Sequence, residues 1–510
     1  MWYRDKLVWI GAIIGAFATA YALFVGSYLP YIDWSNHLAL ISVLAHGETS
    51  GALDFMTRSW IPTPYFLFYG LSALLSQFMN VNAASKLVLV SSALLYSLGA
   101  AAWAESMDRS PRQGLIAALG FFGVSLGYGF ASFVFATPFL FFALAAAEPF
   151  FNQVAQRRDF IKLALFLCLA YLGHALIFMA IAGLLIVRTF IHLIFTRRIK
   201  TLVSIAIAAL PSVLLAIPAT VEHLSQPWQE PGTASTVKPQ LAYFVSWGEH
   251  KRNIFGHLLE RGSAEHLVVM KFAAALWCAW FLWGLLHRNK RGENPIKSSP
   301  WIYATCLLAL FLIGPNSIEW PSSLWMIYPR FGVIAATSVF LLPRPELKGP
   351  WGLGLALAAT LLVVSNARIN AKHVARFSEW AKLYQPVREL IPKKSRVLAL
   401  SVPDGRDLVR RHPALGSLYF YHMVDGASYV AFMFDAAALP VRQLAEKKPR
   451  APFWKTPYAF NPSTHGLDFD YLVIRGKGLT KRTDKVGLHQ KIGSPNGWTV
   501  YRTINPSPRP

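Results

Sequence analysis

The chain has 510 residues, of which 54% are hydrophobic and only 15% charged, against about 25% charged in an ordinary soluble protein. That deficit, with a positive mean hydropathy and long apolar runs, excludes a soluble enzyme and places the chain in a bilayer. The formal net charge of +23 would suit a nucleic-acid binder. The basic residues, however, cluster in short runs between apolar segments, as cytoplasmic loops do, so no nucleic acid is expected as a partner. Cys168, Cys278 and Cys306 all fall inside apolar runs and read as small core hydrophobes, with no disulfide framework and no metal spacing.

Residues 7–29 follow Arg4 and Lys6. At about 1.5 Å per residue they are long enough to span the hydrocarbon core, and so long an apolar run reads as an uncleaved signal anchor. Next comes "YIDWSNHLALISVLAHGE" at 31–48. A helix from 33 onward puts Trp34, Leu38, Ile41 and Ala45 on one apolar stripe, with Asp33, Asn36 and His37 in a polar cluster at the first turn. The expectation is a helix lying along the interface, apolar side down, its polar groups facing a cavity.

Further apolar segments fall near 65–79, 86–104, 114–127, 133–150, 161–195, 201–219, 267–287, 300–315, 327–343 and 350–366. The 65–79 segment is short and begins after "IPTP", so it is expected to be interfacial or embedded in protein. The 161–195 stretch is too long for one span and has Gly173-His174 at its middle, which predicts a helical hairpin or broken helix. The basic runs are Arg109/Arg112, Arg157-Arg158, Arg197-Arg198-Lys200, "HRNKRG" at 287–292 and "RPELK" at 344–348. All face the cytoplasm if the N-terminus is inside, 161–195 crosses twice and 65–79 does not cross. The expected fold is a polytopic α-helical membrane protein with about 11–12 transmembrane helices, in a bacterial inner membrane. A transmembrane domain covers 1–366, with extracytoplasmic loops at 30–64, 220–266 and 314–329.

Residues 367–510 differ in composition: the apolar runs shorten and Lys, Arg, Asp and Pro return. Trp380, Leu383, Val387 and Leu390 show helical spacing over 371–391, while "RVLALSV" (396–402), "YLVIRG" (471–476) and "WTVYRT" (498–503) read as strands. This predicts a C-terminal extracytoplasmic α/β domain resting on the membrane's outer face.

Two readings of Asp33 stand. It can be an N-cap after Pro30, or a carboxylate serving chemistry on a lipid-bound substrate; capping would lower its pKa and weaken it as a base. His37 reads as a hydrogen-bonding neighbour, and with no second carboxylate two residues away the motif supplies no divalent-metal cage. Arg330, in "MIYPRFGV", is a candidate phosphate-binding cation because a guanidinium fork fits phosphate oxygens. The alternative is an interfacial anchor snorkelling beside Trp325 and Tyr328. Arg58, in "FMTRSWIPTP", is a second candidate cation. His174 interrupts an apolar run; such groups usually face a cavity, though a satisfied core histidine is the other reading. The 220–266 loop, with Glu222, His223, Trp228 and Trp247, is a candidate lid whose aromatics would pack on sugar rings or on lipid, and its spacings match no metal pattern.

A signal anchor, an acidic first loop with an interfacial helix, many spans and a terminal α/β domain together resemble a GT-C-type integral-membrane glycosyltransferase. The resemblance is carried by "DWSNH", by "GYGFASFVFATPF" at 127–139, "LGHALIF" at 172–178, "YPRF" at 328–331 and "GWTVYR" at 497–502. It departs at the acidic motif, which has a single Asp where many relatives carry a pair. The resemblance implies a polyprenyl-phosphate-linked sugar as donor, a glycan, lipid or protein acceptor, inversion at the anomeric carbon, and Asp33 in the catalytic acidic position. Asn36, His37, Arg58, His174 and Arg330 would contact substrate, and no metal or other cofactor is assigned. A transporter or flippase of lipid-linked sugars is one alternative, disfavoured because the spans hold almost no acids. A non-catalytic subunit of an envelope-polysaccharide assembly system is another.

Overall fold

The computed structural model describes residues 5–225, 242–243, 264–286, 299–318, 324–344, 349–401, 414–434, 439–453 and 456–509. The apolar runs fold as helices, several with caps supplied by the residues before them. Helix α1 (Lys6–Phe24) begins where the Asp5 side chain accepts from the Leu7 amide, and α4 (Val81–Ser106) where Asn80 accepts from Ala83. Helix α7 (Arg157–Gly173) opens on a capping box between Gln156 and Asp159, which satisfies two otherwise orphaned amides. Between these lie α2 (Trp34–His46), α3 (Phe66–Leu75), a 3₁₀ segment (Pro111–Phe122), α5 (Val124–Tyr128) and α6 (Ala131–Phe151). Then follow α8 (Ala175–Thr196), α9 (Ile199–Ser225), α10 (Ala264–Leu286), α11 (Ser299–Ile313), α12 (Ile327–Phe340) and α13 (Gly349–Lys382).

Seven of these helices are long and apolar enough to cross a membrane. Their outward faces are apolar: Ile10 and Phe17 on α1, Phe190 and Ile194 on α8, Leu210 and Leu214 on α9, and Leu357 and Leu361 on α13 are all exposed. Such faces are stable only against lipid.

Side-chain contacts sort the helix ends into two faces. Arg112 pairs with Asp5 at 2.8 Å, Arg109 donates to the Leu342 carbonyl, Gln113 to that of Pro343, and Tyr303 to Glu148. The start of α1 thus shares a face with the ends of α4, α6 and α12 and the start of α11. At the opposite face Lys372 of α13 meets Glu265 of α10 at 2.9 Å. The seven long helices are α1, α4, α6, α8, α9, α10 and α13, and α11 and α12 are shorter apolar helices. Helix α3, with 10 residues, spans about 15 Å at 1.5 Å per residue and is too short to cross. That places Arg109 and Arg112 on the N-terminal face, as the basic-run reading requires. The 161–195 stretch is indeed two helices, parted at His174.

Helix α13 runs unbroken through residue 366 to Lys382, so the change of composition at 366 marks where the helix leaves the apolar layer. Beyond it a five-stranded mixed sheet has the order β6-β5-β8-β10-β9. These are Tyr429–Val430, Arg396–Ser401, Tyr471–Arg475, Thr499–Thr503 and His489–Gly493. Strands β5, β8 and β10 are the three expected from sequence. Val397, Leu398, Leu472, Val473 and Val500 fill its core, and Arg396 pairs with Asp470 at 2.8 Å beside them. The first loop joins this domain through β1 (Met56–Arg58), which pairs antiparallel with β7 (Val441–Gln443). A third small sheet links Ala242–Tyr243 (β2), Ser317–Ile318 (β3) and Leu324–Trp325 (β4).

Helix α2 corrects one expectation. It does not lie with one side down and its polar side free. Trp34, Leu38, Leu40, Ile41, Val43 and Leu44 are buried, and so are Ser35, Asn36, His37 and Ser42. The reason is a cover from the C-terminal domain: Ser35 Oγ donates to the Ser417 carbonyl at 2.7 Å, and Ser42 Oγ to that of Val424. Burial of each large apolar side chain contributes about 1.5–3 kcal/mol, so α2 is a packed layer between the helical bundle and the outer domain.

Candidate active site

Asp33 sits immediately before α2, and its backbone N–H donates to the Tyr128 carbonyl at 3.1 Å. This close approach depends on Gly129, whose φ of +92° lies in the left-handed region; a Cβ there would come within 2.6 Å of the Asp33 nitrogen. Only glycine accommodates both demands without strain. The Asp33 side chain makes no cap hydrogen bond, and its carboxylate has no hydrogen-bond partner among the described residues. Burial raises its pKa from the ordinary carboxylate value to about 7, with Arg330 acting in the opposite direction. An ion pair is absent: the two charges sense each other without touching.

His37 lies one turn along α2, its Nδ1 2.6 Å from Tyr69 Oη and its ring edge-on to Phe68 and Phe434. Burial lowers its pKa to about 4, and Arg330 pushes the same way, so it stays neutral at physiological pH. Asn36 turns to the outer domain, where its Oδ1 accepts from the Phe434 amide at 3.4 Å.

His174 and Arg330 come from opposite ends of the sequence and meet here. Nδ1 of His174 accepts from the Leu176 amide at 3.1 Å, capping α8. A neutral ring that accepts at Nδ1 carries its proton on Nε2. That Nε2 lies 3.3 Å from Nη1 of Arg330, which is also a donor. Arg330 is buried in the first turn of α12, so it does not snorkel to the membrane surface. Its Nη2 donates to the Trp325 carbonyl at 2.9 Å, its Cζ lies 3.6 Å from the centroid of the Phe130 ring, and its Nε is buried without a partner. The aromatic face offsets part of the cost of burying the cation. Two sets of donors therefore meet within the electrostatic reach of Asp33, a chemistry suited to an oxyanion.

Of the residues singled out from sequence, Asp33, His37, His174 and Arg330 are brought together, with Asn36 beside them. Arg58 is not: its guanidinium pairs with Glu48 at 3.0 Å on the surface, a contact worth at most about 1 kcal/mol. Trp228 and Trp247 lie outside the described residues, as do the side chains of Glu222 and His223. Sequence reasoning missed Tyr65, whose ring centroid is 4.7 Å from that of His174, and Tyr69. It also missed Phe434 and Tyr419 of the C-terminal domain, the latter within the electrostatic reach of Asp33. The prolines of "IPTPY" mark Tyr65 as a loop residue; nothing local marks Tyr419. Among the described residues no group of three or more His, Cys, Asp or Glu side chains is arranged to hold a metal ion.

The chain shares its fold with ArnT and with the arabinofuranosyltransferase AftD. It superposes on ArnT from Cupriavidus metallidurans bound to undecaprenyl phosphate with a TM-score of 0.56 at 9% identity, over 99% of this chain and 100% of that one. Apo ArnT gives 0.54 at 10% identity, over 98% of each chain. The arabinofuranosyltransferase AftD from Mycobacteria gives 0.52 at 13% identity, over 99% of this chain and 42% of that one. No family model matches the chain, and no curated protein matches it in sequence.

Proposed function

We propose that the protein is a membrane glycosyltransferase that moves a sugar from a polyprenyl-phosphate donor to an acceptor on the extracytoplasmic face. The single observation that carries this reading is the approach of Asp33 and Arg330 without an ion pair. A carboxyl with a pKa near 7 senses a buried guanidinium whose Nε has no partner and whose Nη1 meets the donor Nε2 of His174. In the reaction the acceptor oxygen attacks the anomeric carbon and gives its proton to Asp33. The bond from that carbon to the phosphate oxygen breaks, and the phosphate leaves with the electron pair. Arg330 and the Nε2–H of His174 stabilise the charge that develops. Attack opposite the leaving phosphate inverts the configuration. ArnT binds undecaprenyl phosphate, and a lipid phosphate of that class suits this site.

The orientation follows from loop charge. The face that carries Arg109, Arg112 and Arg198 is cytoplasmic, which puts Asp33, His174 and Arg330 outside, in the inner membrane of a bacterium. The bundle up to residue 366 holds the lipid, and residues 367–510 close over α2, with Tyr419 and Phe434 lining the acceptor side. Acceptor hydroxyls on a glycan, lipid or protein are all compatible with this chemistry.

The test is transfer of a radiolabelled sugar from its polyprenyl phosphate by membranes carrying the parent or Asp33→Asn. The parent transfers, and Asp33→Asn, present at equal abundance, loses about a hundred- to ten-thousand-fold of rate. An active Asp33→Asn protein would refute the assignment.

A further inference from the structure

Tyr65 has a backbone φ of +139°, a region that side-chain-bearing residues rarely enter and that clusters at functional sites. The conformation is imposed by neighbours. The Tyr65 N–H donates to the Leu172 carbonyl at 3.2 Å, two residues before His174. The Phe66 N–H donates back to Thr63 at 3.0 Å, closing the turn that starts α3. The first loop is thereby tied to the break between α7 and α8. The twisted backbone aims the side chain at the site: the ring packs edge-on to His174 at 4.7 Å, and the phenol lies within the electrostatic reach of Arg330. The residue is half-buried, and its hydroxyl has no hydrogen-bond partner among the described residues.

We infer that Tyr65 is a further substrate-contacting residue, whose phenolic O–H donates to the same phosphate that Arg330 and His174 hold. Burial moves its pKa above the ordinary phenol value, so the group stays protonated and acts as a donor. Three donors on three elements, the 65 turn, the 174 break and the start of α12, then surround one phosphate. The strained turn, tied to the Leu172 carbonyl, sets the distance between the first and second. This inference rests on the glycosyl-transfer reading above.

Purified protein in nanodiscs, titrated with undecaprenyl phosphate and assayed for transfer, tests it. Tyr65→Phe keeps the ring against His174 and removes only the hydroxyl. It should match the parent in abundance and thermal midpoint, bind undecaprenyl phosphate about tenfold or more weakly, and lose kcat by a similar factor. A role confined to packing would leave both unchanged. Tyr65→Gly relieves the backbone and should keep the fold while losing the same affinity. If Tyr65→Phe binds and transfers like the parent while Arg330→Ala does not, the tyrosine assignment is wrong and the transferase reading stands. If the parent itself fails to bind undecaprenyl phosphate, both are wrong.

Discussion

Nε2 of His174 lies 3.3 Å from Nη1 of Arg330, while Nδ1 of the same ring accepts from the Leu176 amide. One imidazole in its neutral form cannot accept at both nitrogens, so the protein holds a polar contact open at this point. An anionic oxygen between the two nitrogens accepts from both. Replacing Arg330 by Lys substitutes a point charge for a planar fork. The loss of one charge-assisted hydrogen bond is worth roughly 1.5–3 kcal/mol, which is about ten- to a hundred-and-fifty-fold in transfer rate. Initial rates at matched membrane abundance check this; Arg330→Ala that transfers like the parent would make the cation purely structural.

Asp33 gives the reaction a pH dependence with a definite sign. Its folded pKa of about 7 lies above the ordinary carboxylate value of 3.8, so the deprotonated, proton-accepting form is gained as pH rises through about 7. Transfer should climb over that range and fall away below it, where the carboxyl is protonated. Stability runs the other way. Between the unfolded and folded values the folded state binds more protons, so this group's contribution is present at low pH and lost as pH rises through the folded pKa. Asp33→Asn removes that loss. It should be more stable than the parent at pH 8 by about 1–3 kcal/mol, with the difference shrinking as pH falls and gone at about pH 3, below the unfolded value of 3.8. Thermal unfolding at the two pH values measures this, and a pH-independent difference would contradict the buried-carboxylate account.

Gly129 supports Asp33 through its backbone alone. Alanine there meets both an unfavourable positive φ and a contact of 2.6 Å with the Asp33 nitrogen. Gly129→Ala should therefore lose about a hundredfold or more of activity by displacing the base, with a stability cost of about 1–3 kcal/mol. Gly487, also at positive φ but with open space around its Cβ position, is the control: Gly487→Ala should cost stability and leave the transfer rate of the folded protein unchanged.

The two faces of the bundle predict a labelling pattern. In a background lacking Cys168, Cys278 and Cys306, a cysteine at the exposed Arg450 should react with an impermeant maleimide from outside, and one at the exposed Arg198 only after permeabilisation. The reverse pattern would overturn the orientation.

The helical skeleton was legible in the sequence because apolar runs, Gly173-His174 and the alternating strands near 396, 471 and 498 are local signals. Asp33, His37, His174 and Arg330 stood out for a related reason: each is a polar group set against apolar surroundings. The cover over α2 was not legible. Ser35 finds its partner at Ser417, 382 positions along the chain, and no periodicity reports a contact of that range. For the same reason the first-turn polar cluster read as open to a cavity when Asn36 is engaged by Phe434. Arg58 misled because a surface arginine in an acidic loop looks the same in sequence whether it faces substrate or Glu48. Tyr65 went unnoticed because its peculiarity is a backbone angle, one that a bulky residue is not expected to adopt.

The central claim is that a lipid phosphate occupies the gap that Asp33, His174 and Arg330 enclose. Cryo-electron microscopy of the protein in nanodiscs with undecaprenyl phosphate tests it most directly. The account predicts phosphate density within hydrogen-bonding distance of Arg330 Nη1 and His174 Nε2, with the Asp33 carboxylate facing it from the acceptor side. Phosphate density elsewhere on the protein, with that gap empty, would contradict it.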